Sequence, residues 1–311
     1  LGYYSAGARK FGPAGDYVTA PELTPLFARC LATQVAEVLG RCGGGDVLEA
    51  GAGSGALAAD LLAALAERGA APARYRILEV SGDLRERQQA TLAARVPDQL
   101  GRVEWLDAPP QVSWRGVLIG NEVLDALPVE RFRVAGGGFE CIGVATAAAG
   151  GFAFEARPAD APLAARLGEI TGCLTGPLPK GFESEVCLML PAWIASLAAG
   201  LSRGVMLFVD YGLPRAQYYH PSRAGGTLCG FFRHRRVADV LARPGLQDIT
   251  AWVDFTAVAQ AGSAAGLDVA GFATQAHFLL ATGLERELDR EPAGGAAGRL
   301  ARSQALATLL L

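Results

Sequence analysis

The chain has 311 residues, 51% of them hydrophobic, and a formal charge of −3, so it can bury a large core and is not of disordered composition. Acids and bases are interspersed, which leaves no basic footprint for nucleic acid or an anionic membrane. Its longest apolar runs, such as "GVMLFVDYG" and "HFLLATGL", are too short to span a bilayer.

The chain starts at Leu1 with neither methionine nor a secretory pattern, as expected of a fragment lacking its first helix or of shifted numbering. Cys30, Cys42, Cys141, Cys173, Cys187 and Cys229 are scattered, without C-x-x-C or a histidine pair. That spacing argues against a zinc site and for small apolar residues in a reducing compartment. Lys10 and Lys180 are the only lysines, a bias toward arginine that fits GC-rich coding.

From Asp46 the chain alternates short apolar runs with helical stretches, the signature of βαβ units. Strands are predicted at "DVLEA", "RYRILEV", "VEWLD" and "GVLIGNE", with helices over "GALAADLLAALAERG" and "LRERQQATLAARV". Residues 129–158 alternate like hairpins around glycine turns and predict an antiparallel insertion. A helix containing "MLPAWIASLAAGL" leads into a buried strand at "GVMLFVDYG". Residues 213–250 are loop-rich, and loops that long inside a compact domain are more often functional than idle. Helix returns over "VDFTAVAQAGSAAG"; "LDVAGFATQAHFLLATGL" predicts a closing strand and a further helix, and residues 291–311 a Gly/Ala linker with a terminal helix. The expected fold is α/β, a Rossmann-like, mostly parallel sheet with an inserted antiparallel, loop-rich region.

"GAGSGA" at 51–56 satisfies both the dinucleotide fingerprint and the G-x-G-x-G loop of methyltransferases. Both need glycine where a tight turn after a strand brings backbone against a ligand. The acid two residues earlier separates them. A carboxylate at Glu49 would repel a pyrophosphate and suits a ligand with a sulfonium and an ammonium group, as in S-adenosylmethionine. Glu79 closes the next strand, where it can accept from both ribose hydroxyls, and Asp107 falls where a third strand would end, within reach of an adenine amino group. Three acids at the carboxyl ends of consecutive strands lie where open α/β sheets bind ligands, and they favour methyl transfer over hydride transfer.

The motifs "YYSAGARKFGPAGDYVTAPELTPLF", "LEAGAGSGALAADLL", "ILEVSGDLRERQ", "NEVLDALPVERF", "FVDYG", "GTLCGFFRH" and "PGLQDITAWVDFTA" together resemble MidA-like class I methyltransferases. The resemblance runs from about Gly2 to Gly283; the family includes the mitochondrial complex I assembly-factor arginine methyltransferase. It implies a seven-stranded sheet, S-adenosyl-L-methionine as methyl donor, and an arginine in a respiratory-complex subunit as acceptor of its best-understood members. By position, Glu49, Gly51, Gly53 and Gly55 match the donor loop and Glu79 the ribose acid. Asp16, Thr19 and Glu22 match a segment covering the methionine end of the cofactor, and Asn121, Glu122 and Asp125 fall beside the methyl group. The implied organisation is a cofactor-covering segment (1–40), a cofactor-binding core (41–128), an inserted substrate region (129–185), the rest of the core with the 213–250 loop (186–283), and a linker with a terminal helix (284–311). Composition and family together imply a cytoplasmic bacterial protein, or a mitochondrial-matrix one in a eukaryote. The sequence departs from the family at Trp252, where histidine is frequent, and at Ala238, Asp239 and Val240, where a paired acid precedes proline; both departures bear on the substrate.

An arginine acceptor is fully protonated in water and a poor nucleophile. Glu122, Asp125 and Asp210, at strand ends, can orient it and hold its charge as a proton departs; Asp125 can equally complement a helix dipole. His234 is a candidate general base or a structural hydrogen-bonding group, while His220 and His277 read as structural. Tyr211 and Phe232 fit either an acceptor channel or core. Glu183, Glu185 and Asp248 read as acids capping or preceding helices. A small-molecule O- or N-methyltransferase, or an assembly factor with little turnover, would share every cofactor residue.

Overall fold

The computed structural model describes residues 20–290 and 296–310. The first helices are α1 (Ala20–Leu23) and α2 (Leu26–Cys42). Leu26, Phe27, Leu31, Val35 and Leu39 of α2 are buried, one apolar stripe at helical spacing. The chain then alternates through β1 (Asp46–Ala50), α3 (Ala56–Glu67), β2 (Tyr75–Leu78), α4 (Gly82–Arg95), β3 (Val103–Leu106) and β4 (Trp114–Asn121). Ser81 caps α4, its hydroxyl accepting from Leu84 N at 3.4 Å. These boundaries follow the predicted ones to within about two residues, because strand and helix periods alternate cleanly here.

The chain next enters an antiparallel region: β5 (Glu130–Ala135), β6 (Gly138–Thr146), β7 (Phe152–Pro158), α5 (Ala161–Gly172), β8 (Glu183–Val186) and α6 (Leu190–Ala198). Its four-stranded sheet has the order β7-β6-β5-β8. Phe132 and Cys141, paired across β5 and β6, pack in one core with Leu163, Leu167 and Ile170 of α5 and with Tyr218 and Tyr219. The predicted insertion is therefore present, but it recruits a fourth strand. Glu183 and Glu185 lie on β8 rather than at a helix start.

Then follow β9 (Leu201–Val209), β10 (Gly212–Leu213), α7 (Arg215–Tyr218), β11 (Cys229–Phe232), β12 (Arg235–Val237), β13 (Asp248–Thr250), β14 (Val253–Asp254) and α8 (Phe255–Ala264). The predicted loop 213–250 thus contains a three-stranded sheet of order β12-β11-β13. Asp254 caps α8, accepting from Thr256 N at 3.0 Å and Ala257 N at 3.2 Å, and it pairs with buried Arg215 at 2.9 Å. Asp248 instead sits buried on β13 and does not cap a helix. The expected closing strand is not found: residues 267–274 carry no strand, since apolar alternation makes a strand only where a neighbour supplies the ladder. The chain closes with α9 (Gln275–Ala281), α10 (Leu284–Arg290) and α11 (Ala296–Leu310).

Contacts divide the chain into two units. Of the described residues, one holds 20–121, 197–209, 270–290 and 296–310; the other is built from residues 122–196 and 210–269. The first contains a fully parallel sheet of order β3-β2-β1-β4-β9, five strands among the described residues against the seven expected. Its order reverses between β1 and β4, and ligands of open α/β sheets bind outside the carboxyl ends of the strands at such a point.

Candidate functional site

Register places the donor-loop residues at one edge of the parallel sheet. Ala50 pairs with both Leu78 and Gly120, and Leu78 with Leu106. Gly51, Glu79, Asp107 and Asn121 are the next residues at or beyond these carboxyl ends. Gly51, Gly53 and Gly55 take φ of 67°, 54° and 82°, the left-handed region that favours glycine. At Gly55 an added Cβ would also lie 3.1 Å from the Gln88 backbone. A side chain at Gly55 is disfavoured on both counts, and the three glycines present backbone before the first turn of α3. The Ser54 hydroxyl donates to the Glu22 carboxylate, which ties α1 to the loop. Asp16 and Thr19 lie outside the described residues.

Glu49 is 2% exposed and accepts a 2.5 Å hydrogen bond from the Tyr75 hydroxyl. Burial pushes its carboxyl up to about 7, only partly offset by that bond. Near neutral pH it is poised between charge states, and a cation beside it would draw off the proton. Glu79 is buried too; it accepts from Ser81 N at 2.9 Å and from the Gln88 amide at 3.1 Å. Asp107 is exposed and paired with Arg85 at 2.6 Å. Asn121 Oδ1 is buried without a partner among the described residues. A buried acceptor rarely stays unpaired in a native protein, so this atom calls for a donor from a ligand or water. A cationic, hydroxyl-bearing nucleoside fits this set of groups.

In the other unit a second constellation is organised by Asp210. Its Oδ2 accepts from three successive amides, Val123 N at 3.1 Å, Leu124 N at 2.8 Å and Asp125 N at 3.3 Å, and its Oδ1 from Tyr211 N at 2.9 Å. Successive N–H groups make an anion-binding nest. Asp210 therefore acts on this segment as a clamp. Burial raises its carboxyl to about 6 against the pull of those four amides. Glu122, at the head of the segment, has φ of 50°, a conformation a non-glycine residue adopts at a cost of order 1–3 kcal/mol. Asp125 is raised to about 9 by burial first, then by the charges of Asp210, Glu122 and Asp248; it is a neutral acid at physiological pH. The buried Asp248 is the member that sequence reasoning assigned elsewhere.

The sign of the pH effect follows from the raised pKa of Asp125. The fold retains a proton that the unfolded chain gives up above about pH 4, so the stability conferred by the neutral form is full below that pH and is lost as pH rises toward 9. Asp125→Asn keeps the neutral form. It should melt above the parent at pH 8, where about four units of linkage amount to at most about 5 kcal/mol, and level with it near pH 4. Thermal melts across that range check it; a constant gap would remove the titration from the account.

His234 falls outside this constellation. With Arg233 it forms the exposed two-residue turn between β11 and β12, at φ of 60° and 50°, a placement that accounts for the residue as a turn former. Phe232 lies beneath the guanidiniums of Arg233 and Arg243, 5.2 and 4.8 Å from its ring centre. Tyr211 is exposed. Trp252 is stacked by Arg223 at 5.3 Å. Glu185, which the sequence assigns to a helix start, is a buried carboxylate accepting from Thr227 N at 3.0 Å and Leu228 N at 3.2 Å. Sequence reasoning missed Gln88 and Tyr75; the only signal for either was a polar residue at a core-facing position.

A parallel sheet with its reversal at β1 and β4, a glycine loop after β1 and buried acids on β1 and beyond β2 define the class: an α/β protein of the kind that binds a nucleoside cofactor at the carboxyl ends of its strands. Residues 30–273 match the Methyltransf_28 family of S-adenosyl-L-methionine-dependent methyltransferases, and the chain belongs to that family. S-adenosyl-L-methionine is the family's cofactor. A COG1565 superfamily member from Burkholderia thailandensis, crystallised with S-adenosyl-homocysteine, is 44% identical, with a TM-score of 0.92 over 100% of this chain and 80% of its own. The mitochondrial protein arginine methyltransferase NDUFAF7 of Mus musculus is 28% identical over 82% of this chain, and the Caenorhabditis elegans NDUFAF7 homolog 26% identical over 82%. The chain spans 61% and 63% of those two relatives' lengths. No helix among the described residues is long and apolar enough to cross a membrane.

Proposed function

We propose that the chain transfers a methyl group from S-adenosyl-L-methionine to a protein side chain, an arginine nitrogen. The observation that carries the acceptor reading is the carboxylate constellation of Glu122, Asp125 and Asp210, which begins at the residue after Asn121. Acids crowded until one of them holds its proton near pH 9 favour a cation among them, and a guanidinium stays charged in any protein environment. The names of the 25–28% identical relatives point the same way.

On this reading the backbone of Gly51, Gly53 and Gly55 lies along the donor, Glu79 holds its ribose, Asp107 lies toward the adenine, and Glu22, Glu49 and Asn121 attend its amino-acid end, the end also assigned to Asp16 and Thr19. The donor, when bound, supplies an electrophilic methyl on a sulfonium. The chain's own contribution is to align the acceptor and exclude water, the largest available gain in an in-line displacement. Asp210 holds the 123–125 backbone, Glu122 orients the guanidinium and takes up its departing proton, and the carbonyl oxygen of the neutral Asp125 accepts a hydrogen bond from the guanidinium.

Two measurements test this. Calorimetry should show binding of S-adenosyl-L-methionine with little affinity for NAD, and, as Glu49 ionises, proton release that makes the heat at pH 7 depend on the buffer. Tight NAD binding without donor binding would overturn the class of reaction proposed. Labelled-methyl transfer into a lysate lacking the endogenous enzyme, followed by amino-acid analysis, should place label on arginine. Label confined to small metabolites would favour a small-molecule acceptor, and no label would favour an assembly factor with little turnover.

A further inference from the structure

We propose that Gln88, held by Trp105, is the positioning residue that makes Glu79 selective for a ribose diol. The inference rests on the reading of Glu79 as the ribose acid.

Gln88 of α4 is fully buried, and both hydrogens of its amide are taken. Nε2 donates to Glu79 Oε2 and to Gly53 O, both at 3.1 Å, and Oε1 accepts from Trp105 Nε1 at 2.9 Å. An indole N–H can only donate, so the amide cannot turn over: a flip would face two donors together and set Oε1 against two acceptors. One side chain thereby fixes an oxygen of the acid beyond β2 relative to the carbonyl of the loop beyond β1. Thr91, one turn further along α4, adds a second anchor by donating to Ser54 O at 2.8 Å.

The consequence for Glu79 is a count of lone pairs. A carboxylate has about four acceptor positions. Ser81 N occupies one on Oε1 and Gln88 one on Oε2, which leaves one on each oxygen. Two adjacent acceptors held side by side match two vicinal hydroxyls, and they repel a phosphate. Without Gln88 the carboxylate can rotate about its last bond, and the two free positions no longer hold one spacing. The proposed role is in orientation; no contact of Gln88 with the ligand is needed.

The test is the affinity for S-adenosyl-homocysteine and for its 3′-deoxy counterpart, measured by calorimetry on the parent, Gln88→Met, Trp105→Phe and Glu79→Ala, each with a melting curve. Gln88→Met preserves length and removes the amide. It should weaken S-adenosyl-homocysteine roughly tenfold and the 3′-deoxy ligand less, so that discrimination between them shrinks. Trp105→Phe should shift the ratio the same way by less, and it keeps the test alive if Gln88→Met does not fold. Equal weakening of both ligands, or none, while Glu79→Ala still abolishes discrimination, would overturn the role of Gln88. Discrimination surviving in Glu79→Ala would instead overturn the ribose reading, and this inference with it.

Discussion

Glu122→Gln should leave donor affinity unchanged while lowering methyl transfer on the order of a hundredfold, the usual cost of removing a positioned charge at a reacting centre. Shape and left-handed backbone are kept, so the loss reads charge alone. The substitution also removes one of the negative charges that hold Asp125 up, so the pH dependence of residual activity should shift toward acid. Donor calorimetry beside labelled-methyl turnover, each across pH, makes the check. Donor affinity falling in step with rate would move Glu122 to the cofactor side; an unchanged rate would remove it from the chemistry.

Glu79→Ala should cost about 2–3 kcal/mol in donor affinity, the value of two hydrogen bonds to a buried charge. Some stability should go with it, because Ser81 N and the Gln88 amide lose their acceptor. Calorimetry and melting together separate the two effects. A lower melting temperature with an unchanged dissociation constant would make Glu79 a structural acid of the β2–α4 turn.

Local pattern was enough where each residue's neighbours in space are its neighbours in sequence. β1, α3, β2 and α4 were legible because apolar spacing switches from helical to strand period at glycine or serine boundaries, and the loop at 51–56 because a left-handed turn leaves a glycine at each position that needs it. The acids at strand ends followed from the same arithmetic, since a parallel sheet aligns its carboxyl ends. The 213–250 segment resisted: its strands β11, β12 and β13 have three or four residues each, too short to show a period, and the pairing of β11 with β13 joins residues about twenty apart.

The sequence by itself determined the alternating α/β core, the antiparallel insertion, the glycine loop after β1 and the acids at the strand ends, because these follow from periodicity and from which residues tolerate a positive φ. The number of strands, and which polar groups are buried, were decided only by the tertiary structure. Asp248 reads as a cap until β11 and β13 pair and bury it. Asp210 reads as a candidate catalytic acid until three amides more than eighty residues away converge on one of its oxygens. Gln88 reads as one polar residue of an exposed-looking helix until Trp105 and Glu79 close around its amide. Desolvation and hydrogen-bond saturation depend on what packs against a group from elsewhere in the chain, and no local pattern encodes that.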